Sequence, residues 1–71
     1  MAFTYTYTGT EDWIIDIRFK EKTRIVTFQN SGTFEVTYHN ERVFRFLKSA
    51  HVGDCVLVAT HNGEIKWIKY N

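Results

Sequence analysis

The chain contains no proline, a single cysteine and no apolar run approaching the ~20 residues of a membrane-spanning helix. One cysteine cannot close an internal disulfide, which excludes the disulfide-stapled secreted scaffolds. The first residues lack the basic start and apolar middle of a signal peptide, so the expected location is the cytoplasm, without membrane association. No proline-rich, glycine-rich or low-complexity stretch interrupts the 71 residues, and a single small domain over 1–71 is expected. Net charge is nearly absent: nine Lys and Arg stand against eight Asp and Glu, giving +1. Dedicated nucleic-acid binders are usually far more basic.

Catalytic signatures are missing too. There is no nucleophile elbow, glycine-rich phosphate loop, H-E-x-x-H or C-x-x-C. Neither Ser31 nor Ser49 has a His or an acid at a telling spacing, and Glu11, Asp12 and Asp16 read as a solvated acidic turn rather than a catalytic pair. His51, Asp54, Cys55 and His61 carry metal-ligating groups without the paired short spacings of a structural zinc site. Cys55 lies beside Val56 and Leu57 and reads as a small buried apolar residue. The expectation is a non-enzyme with no metal and no cofactor.

What is abundant is the aromatic ring. Six Phe, four Tyr and two Trp make 17% of the residues, within a hydrophobic fraction of 44%. A domain of this size buries only ~60% of its unfolded surface. Rings that bury ~150–250 Å² each are one remedy, so a core role is the first explanation for them.

Period-2 alternation then marks the strands. Phe3 to Thr8 alternates rings with β-branched hydroxyls and predicts a first strand, followed by a turn at Gly9–Asp12. Trp13, Ile15, Ile17 and Phe19 would share one face of the next strand, with Asp16, Arg18 and Lys20 opposite and Ile14 off pattern. A hairpin at Lys22–Thr23 would pair Ile17 with Phe28 and Phe19 with Val26. A three-residue turn over Asn30, Ser31 and Gly32 would set Phe28 opposite Phe34 and Val26 opposite Val36, with Tyr38 on the same face. Apolar positions 43, 44, 47 and 50 then take helical spacing, with Asn40 as N-cap, Gly53 as a stop signal and Phe46 off the main stripe. Two last strands flank Asn62-Gly63, the strongest two-residue hairpin signal. The expected class is β-rich α+β in the order β-β-β-β-α-β-β, either a small curled sheet or an OB/SH3-like β-barrel with one helix.

Charge is unevenly spread. Residues 1–17 hold three acids and no Lys or Arg, whereas residues 18–48 hold seven Lys or Arg against three acids. Arg18, Lys20, Lys22 and Arg24 gather around one hairpin, and Arg42, Arg45 and Lys48 follow at i,i+3 spacing along the helix. If hairpin and helix meet, these seven form a patch for phosphates.

The stretch from Ile17 to Gly53 resembles the KTSC domain, a short module found at the C-terminus of some lysyl-tRNA synthetases and as a stand-alone bacterial protein. The resemblance lies in the strand Ile25–Phe28, the turn at Gly32, the strand Phe34–Val36, the helix Val43–Ala50 and then Gly53. Phe34 and Val36 stand where that family carries a Y-x-Y pair, and the closing hairpin from Cys55 to Tyr70 has no counterpart. The resemblance implies an RNA-binding role and carries over no catalytic residue.

Two functions follow as expectations. One is a non-enzymatic module that holds RNA or single-stranded nucleic acid on the basic hairpin and helix. The other is a protein-interaction module, an accessory subunit or an inhibitor of the phage or mobile-element kind. It would use Tyr5, Tyr7, Phe46, Trp67 and Tyr70 together with edge strands, which also offer a route to a homodimer.

Overall fold

The computed structural model describes residues 7–71. Five strands and one helix follow in the order β1 (Thr10–Phe19), β2 (Thr23–Phe28), β3 (Gly32–Thr37), α1 (Glu41–Ser49), β4 (Cys55–His61) and β5 (Glu64–Tyr70). They build one antiparallel sheet in the order β3-β2-β1-β4-β5. The sheet is not closed: it curls, with β3 and β5 as its two edges. Of the two expected architectures the curled sheet is therefore the one present. The strand expected at Phe3–Thr8 lies largely outside the described residues.

The long strand β1 joins the two halves of the sheet. Its first part, Thr10–Trp13, pairs with β4, and its second, Ile14–Phe19, pairs with β2. A bulge between Ile14 and Asp16 separates the two, with Ile15 as the extra residue. A bulge reverses which residues face inward, and this corrects the expected alternation. Before it Asp12 and Ile14 point into the core; after it Ile17 does, leaving Trp13 and Ile15 exposed. Thr10–Asp12 are strand, not turn, and Asp12 is fully buried.

Both neighbouring registers differ by two residues from the expected pairing. Ile17 faces Val26 and Phe19 faces Arg24, because Lys20 N–H bonds Thr23 O at 2.9 Å and closes the hairpin over Glu21–Lys22 alone. Likewise Val26 faces Phe34 and Phe28 faces Gly32. An even slip keeps every side chain on its face, so Val26, Phe28, Phe34 and Val36 are all buried as expected. Tyr38 is not with them. It lies beyond the end of β3, exposed and stacked on His39.

The core joins these residues to Ile14, Val56, Val58 and Ile65 from the other half of the sheet and to Val43, Leu47 and Ala50 from α1. Asn40 occupies the N-cap position without capping: its side-chain amide instead donates to Ile65 O at 2.9 Å, tying the helix start to β5. The chain leaves the helix at Ala50, three residues ahead of Gly53. Between β4 and β5, Asn62 and Gly63 both have positive φ, +51° and +76°, as a type I′ turn requires. No helix among the described residues is long and apolar enough to cross a membrane.

Gly9 is needed for a different reason, close approach. The Trp67 indole lies across it, and its Nε1–H donates to Tyr7 O at 3.0 Å, holding the chain ahead of β1 against β5. A Cβ on Gly9 would sit 2.2 Å from Trp67 Cη2. Gly9→Ala is expected to cost about 1–3 kcal/mol through forced displacement of the ring. Thr8→Ala, at an exposed neighbour, should stay within about 0.5 kcal/mol of the parent. Urea midpoints of the two variants check this.

Candidate nucleic-acid interface

The early closure of the β1–β2 hairpin carries its end past the core. Beyond Ile17 and Val26, the inward positions are Phe19 and Arg24, with too little core above them to cover a ring: Phe19 is 60% exposed. The Arg24 guanidinium fills the space. It lies 3.7 Å from the Phe44 ring centroid and 5.4 Å from that of Phe19, and it donates to Phe44 O. A cation over two ring faces, with a carbonyl taking one of its N–H groups, clasps the hairpin to α1. The hairpin and helix that hold the sequence-identified cations therefore meet.

They do not all face one way. Arg24 is turned inward into the clasp. Its parity with Val26 and Phe28 was a signal for this, because alternate strand residues share a face. Arg18 projects from the opposite face of the hairpin and pairs with Asp16 at 3.0 Å. Lys20 and Lys22 are exposed at the turn and take part in no ion pair among the described residues. On α1, Lys48 lies one turn beyond Phe44 on the clasp side, Arg45 on the outer face is paired with Glu41, and Arg42 lies on the flank toward β5. Lys20 and Lys22 at the turn and Lys48 on α1 thus belong to the two elements that the clasp joins, and the exposed Phe19 ring lies at the end of the same hairpin. Phe19 was not among the candidate site residues, since alternation alone placed it in the core.

Of the rings expected at a protein interface, Tyr5 lies outside the described residues. Tyr7 is half-buried, 5.0 Å from the His61 ring and under Lys66. Phe46 is half-buried against the core and 4.6 Å from Tyr70, whose hydroxyl donates to Ser49 O. Trp67 is half-buried over Gly9, so Tyr70 is the most open of the four described. Trp13, Ile15, Tyr38 and Val52 are exposed apolar residues absent from that expectation.

The acidic residues near the start of β1 are not one solvated cluster. Glu11 is exposed and Asp16 holds Arg18, whereas Asp12 accepts bonds from Trp13 N–H (2.8 Å), Asn30 N–H (3.0 Å), Ser31 N–H (2.8 Å) and Ser31 Oγ (2.5 Å). Burial alone would raise its pKa. The Ser31 hydroxyl and the three backbone N–H groups outweigh that and hold the carboxyl below its ordinary 3.8. Every one of these partners is a donor within the protein, so the group is a structural clamp. Asp54 likewise serves a turn, accepting His51 N–H at 2.8 Å. Among the described residues no three His, Cys, Asp or Glu side chains converge to hold a metal ion. In comparison with known proteins, the chain matches no family model, no curated protein and no solved structure.

Proposed function

We propose that the chain is a non-enzymatic binding module that takes single-stranded nucleic acid, RNA in the first place, on the ridge formed by the β1–β2 turn and the clasp side of α1. The observation that carries the reading is the Arg24 clasp. It joins two elements distant in sequence, the hairpin that carries Lys20, Lys22 and the exposed Phe19 and the helix that carries Lys48. Exposed cations meet phosphates, and an exposed ring offers a stacking face to any base. The RNA-binding role implied by the KTSC resemblance agrees with this reading.

The test is fluorescence anisotropy with a labelled eight-nucleotide oligo(U) across 50–200 mM salt. Binding is expected to weaken with salt, and Lys20→Ala/Lys22→Ala should flatten the slope of log K against log salt by about 0.7 per cation removed. Absence of binding, or a slope unchanged in the double variant, would overturn the proposal. The alternative, a protein-interaction module, draws support from Trp13 and Ile15, both exposed on β1 at the bulge. Rings and aliphatic groups left outside a small core are the usual anchors of such interfaces.

A further inference from the structure

On the other flank of α1, a groove of about 310 Å³ runs between the start of the helix and β5. Arg42, Lys66 and Lys69 line it together with Trp67, over an apolar floor of Val43 and Ile68. Its only carboxylate, Glu41, is committed to Arg45 on the outer face of the helix. Lys66 is brought there by irregular pairing. Ala59 faces Trp67 and Thr60 faces Ile65, so Lys66 is the extra residue of a bulge, and its ammonium is held by Glu64 at 3.1 Å. Arg42 and Lys69 make no ion pair among the described residues. Cations set in a cleft with low-dielectric walls focus a positive potential there.

Resting on the function proposed above, we infer that this groove is a second phosphate site on the same single-stranded nucleic acid. The link is the helix itself. Arg42, Arg45 and Lys48 recur at i,i+3 across its solvent face, spanning about 9 Å along the axis. The Lys48 end adjoins the clasp and the Arg42 end lines the groove, so a strand held at the hairpin turn is led over the helix into the groove. Charge complementarity decides the occupant: with Lys66 held by Glu64 and Glu41 held by Arg45, the unpaired Arg42 and Lys69 over an apolar floor suit a phosphate diester better than a cationic or purely apolar partner.

Anisotropy with the eight-nucleotide oligo(U) is measured for the parent, Arg42→Ala/Lys69→Ala and Lys20→Ala/Lys22→Ala. The Trp67 indole N–H resonance of the parent is followed in parallel by NMR. The groove variant should lose about 0.7 from the salt slope per cation removed, and the indole resonance should shift on titration. Oligonucleotide binding with the groove variant unaffected and the indole unmoved overturns the inference while leaving the hairpin reading intact. Loss in the groove variant alone overturns the hairpin reading and supports the groove. Failure of the parent to bind oligo(U), with the indole moved instead by a poly-glutamate peptide, overturns both the nucleic-acid reading and this occupant. Both substituted positions are exposed, so the dispersion of the amide spectrum serves as the folding control.

Discussion

Asp12→Ala is expected to lower the stability of the domain by about 3 kcal/mol, because two backbone N–H groups of the β2–β3 turn lose their acceptor. For a chain of 71 residues, total stability is on the order of 4–11 kcal/mol, and the melting temperature should fall by about 12–24 °C. The carboxylate is 0% exposed and joins β1 to a turn eighteen and nineteen residues away. Asp12→Asn conserves volume but gives little back. Oδ1 accepts Trp13 and Asn30 N–H while Oδ2 accepts Ser31 N–H and Oγ, so an amide nitrogen on either side faces a donor. Thermal unfolding of both variants checks this, and an Asn variant as stable as the parent would remove the argument.

The same clamp predicts an acid dependence. The folded-state pKa of Asp12 lies below the ordinary 3.8 that the unfolded chain restores. Between the two values the unfolded state binds more protons, so stability rises with pH. The contribution is fully present above the unfolded pKa and is lost as pH falls through the folded one. Parent and Asp12→Ala should therefore differ most near neutral pH and converge in strong acid.

Much of the fold was legible because the relevant signals are local. Period-2 runs located β2 and β3, helical spacing located α1, and the Asn62-Gly63 turn located β4 and β5 as its two flanks. What escaped depends on partners distant in sequence. Both registers slipped by two residues, which no pattern of faces can reveal because an even slip leaves every face unchanged. The β1 bulge was hidden in Trp13-Ile14-Ile15, three apolar residues in a row of which only tertiary packing selects Ile14 for the core. Asp12 reads as a solvent residue until its donors from the β2–β3 turn are known. For the interface, the cations were visible in the sequence but their directions were not. Arg24 turned inward, Arg18 and Arg45 found carboxylates, and Lys66 and Lys69 entered the argument only when a bulge and a helix flank made a groove.

Phe28→Ala carries the other large expected effect, about 3–5 kcal/mol. Phe28 is 2% exposed and lies on the inner face of β2 between Ile14 on β1 and Gly32 on β3. Gly32 has no side chain to meet it, so the ring reaches diagonally to Phe34, with centroids 5.9 Å apart and planes at 59°. Cross-strand diagonals of this kind lie within reach only of large side chains. An alanine there leaves a cavity bounded by strands that the ladder fixes in place, and the collapse that softens such losses elsewhere is restricted. The loss is a large share of the about 4–11 kcal/mol that a domain of this size has, so Phe28→Ala should unfold at a much lower urea concentration than the parent. Phe28→Leu retains most of the volume and should remain folded, with a urea midpoint between those of parent and alanine variant and an unchanged m-value. The two substitutions together separate the packing of this ring from any role of its neighbours in binding: Phe28→Leu should hold oligo(U) as the parent does, since Phe28 lies on the inner face and away from Lys20, Lys22 and Lys48 at the ridge.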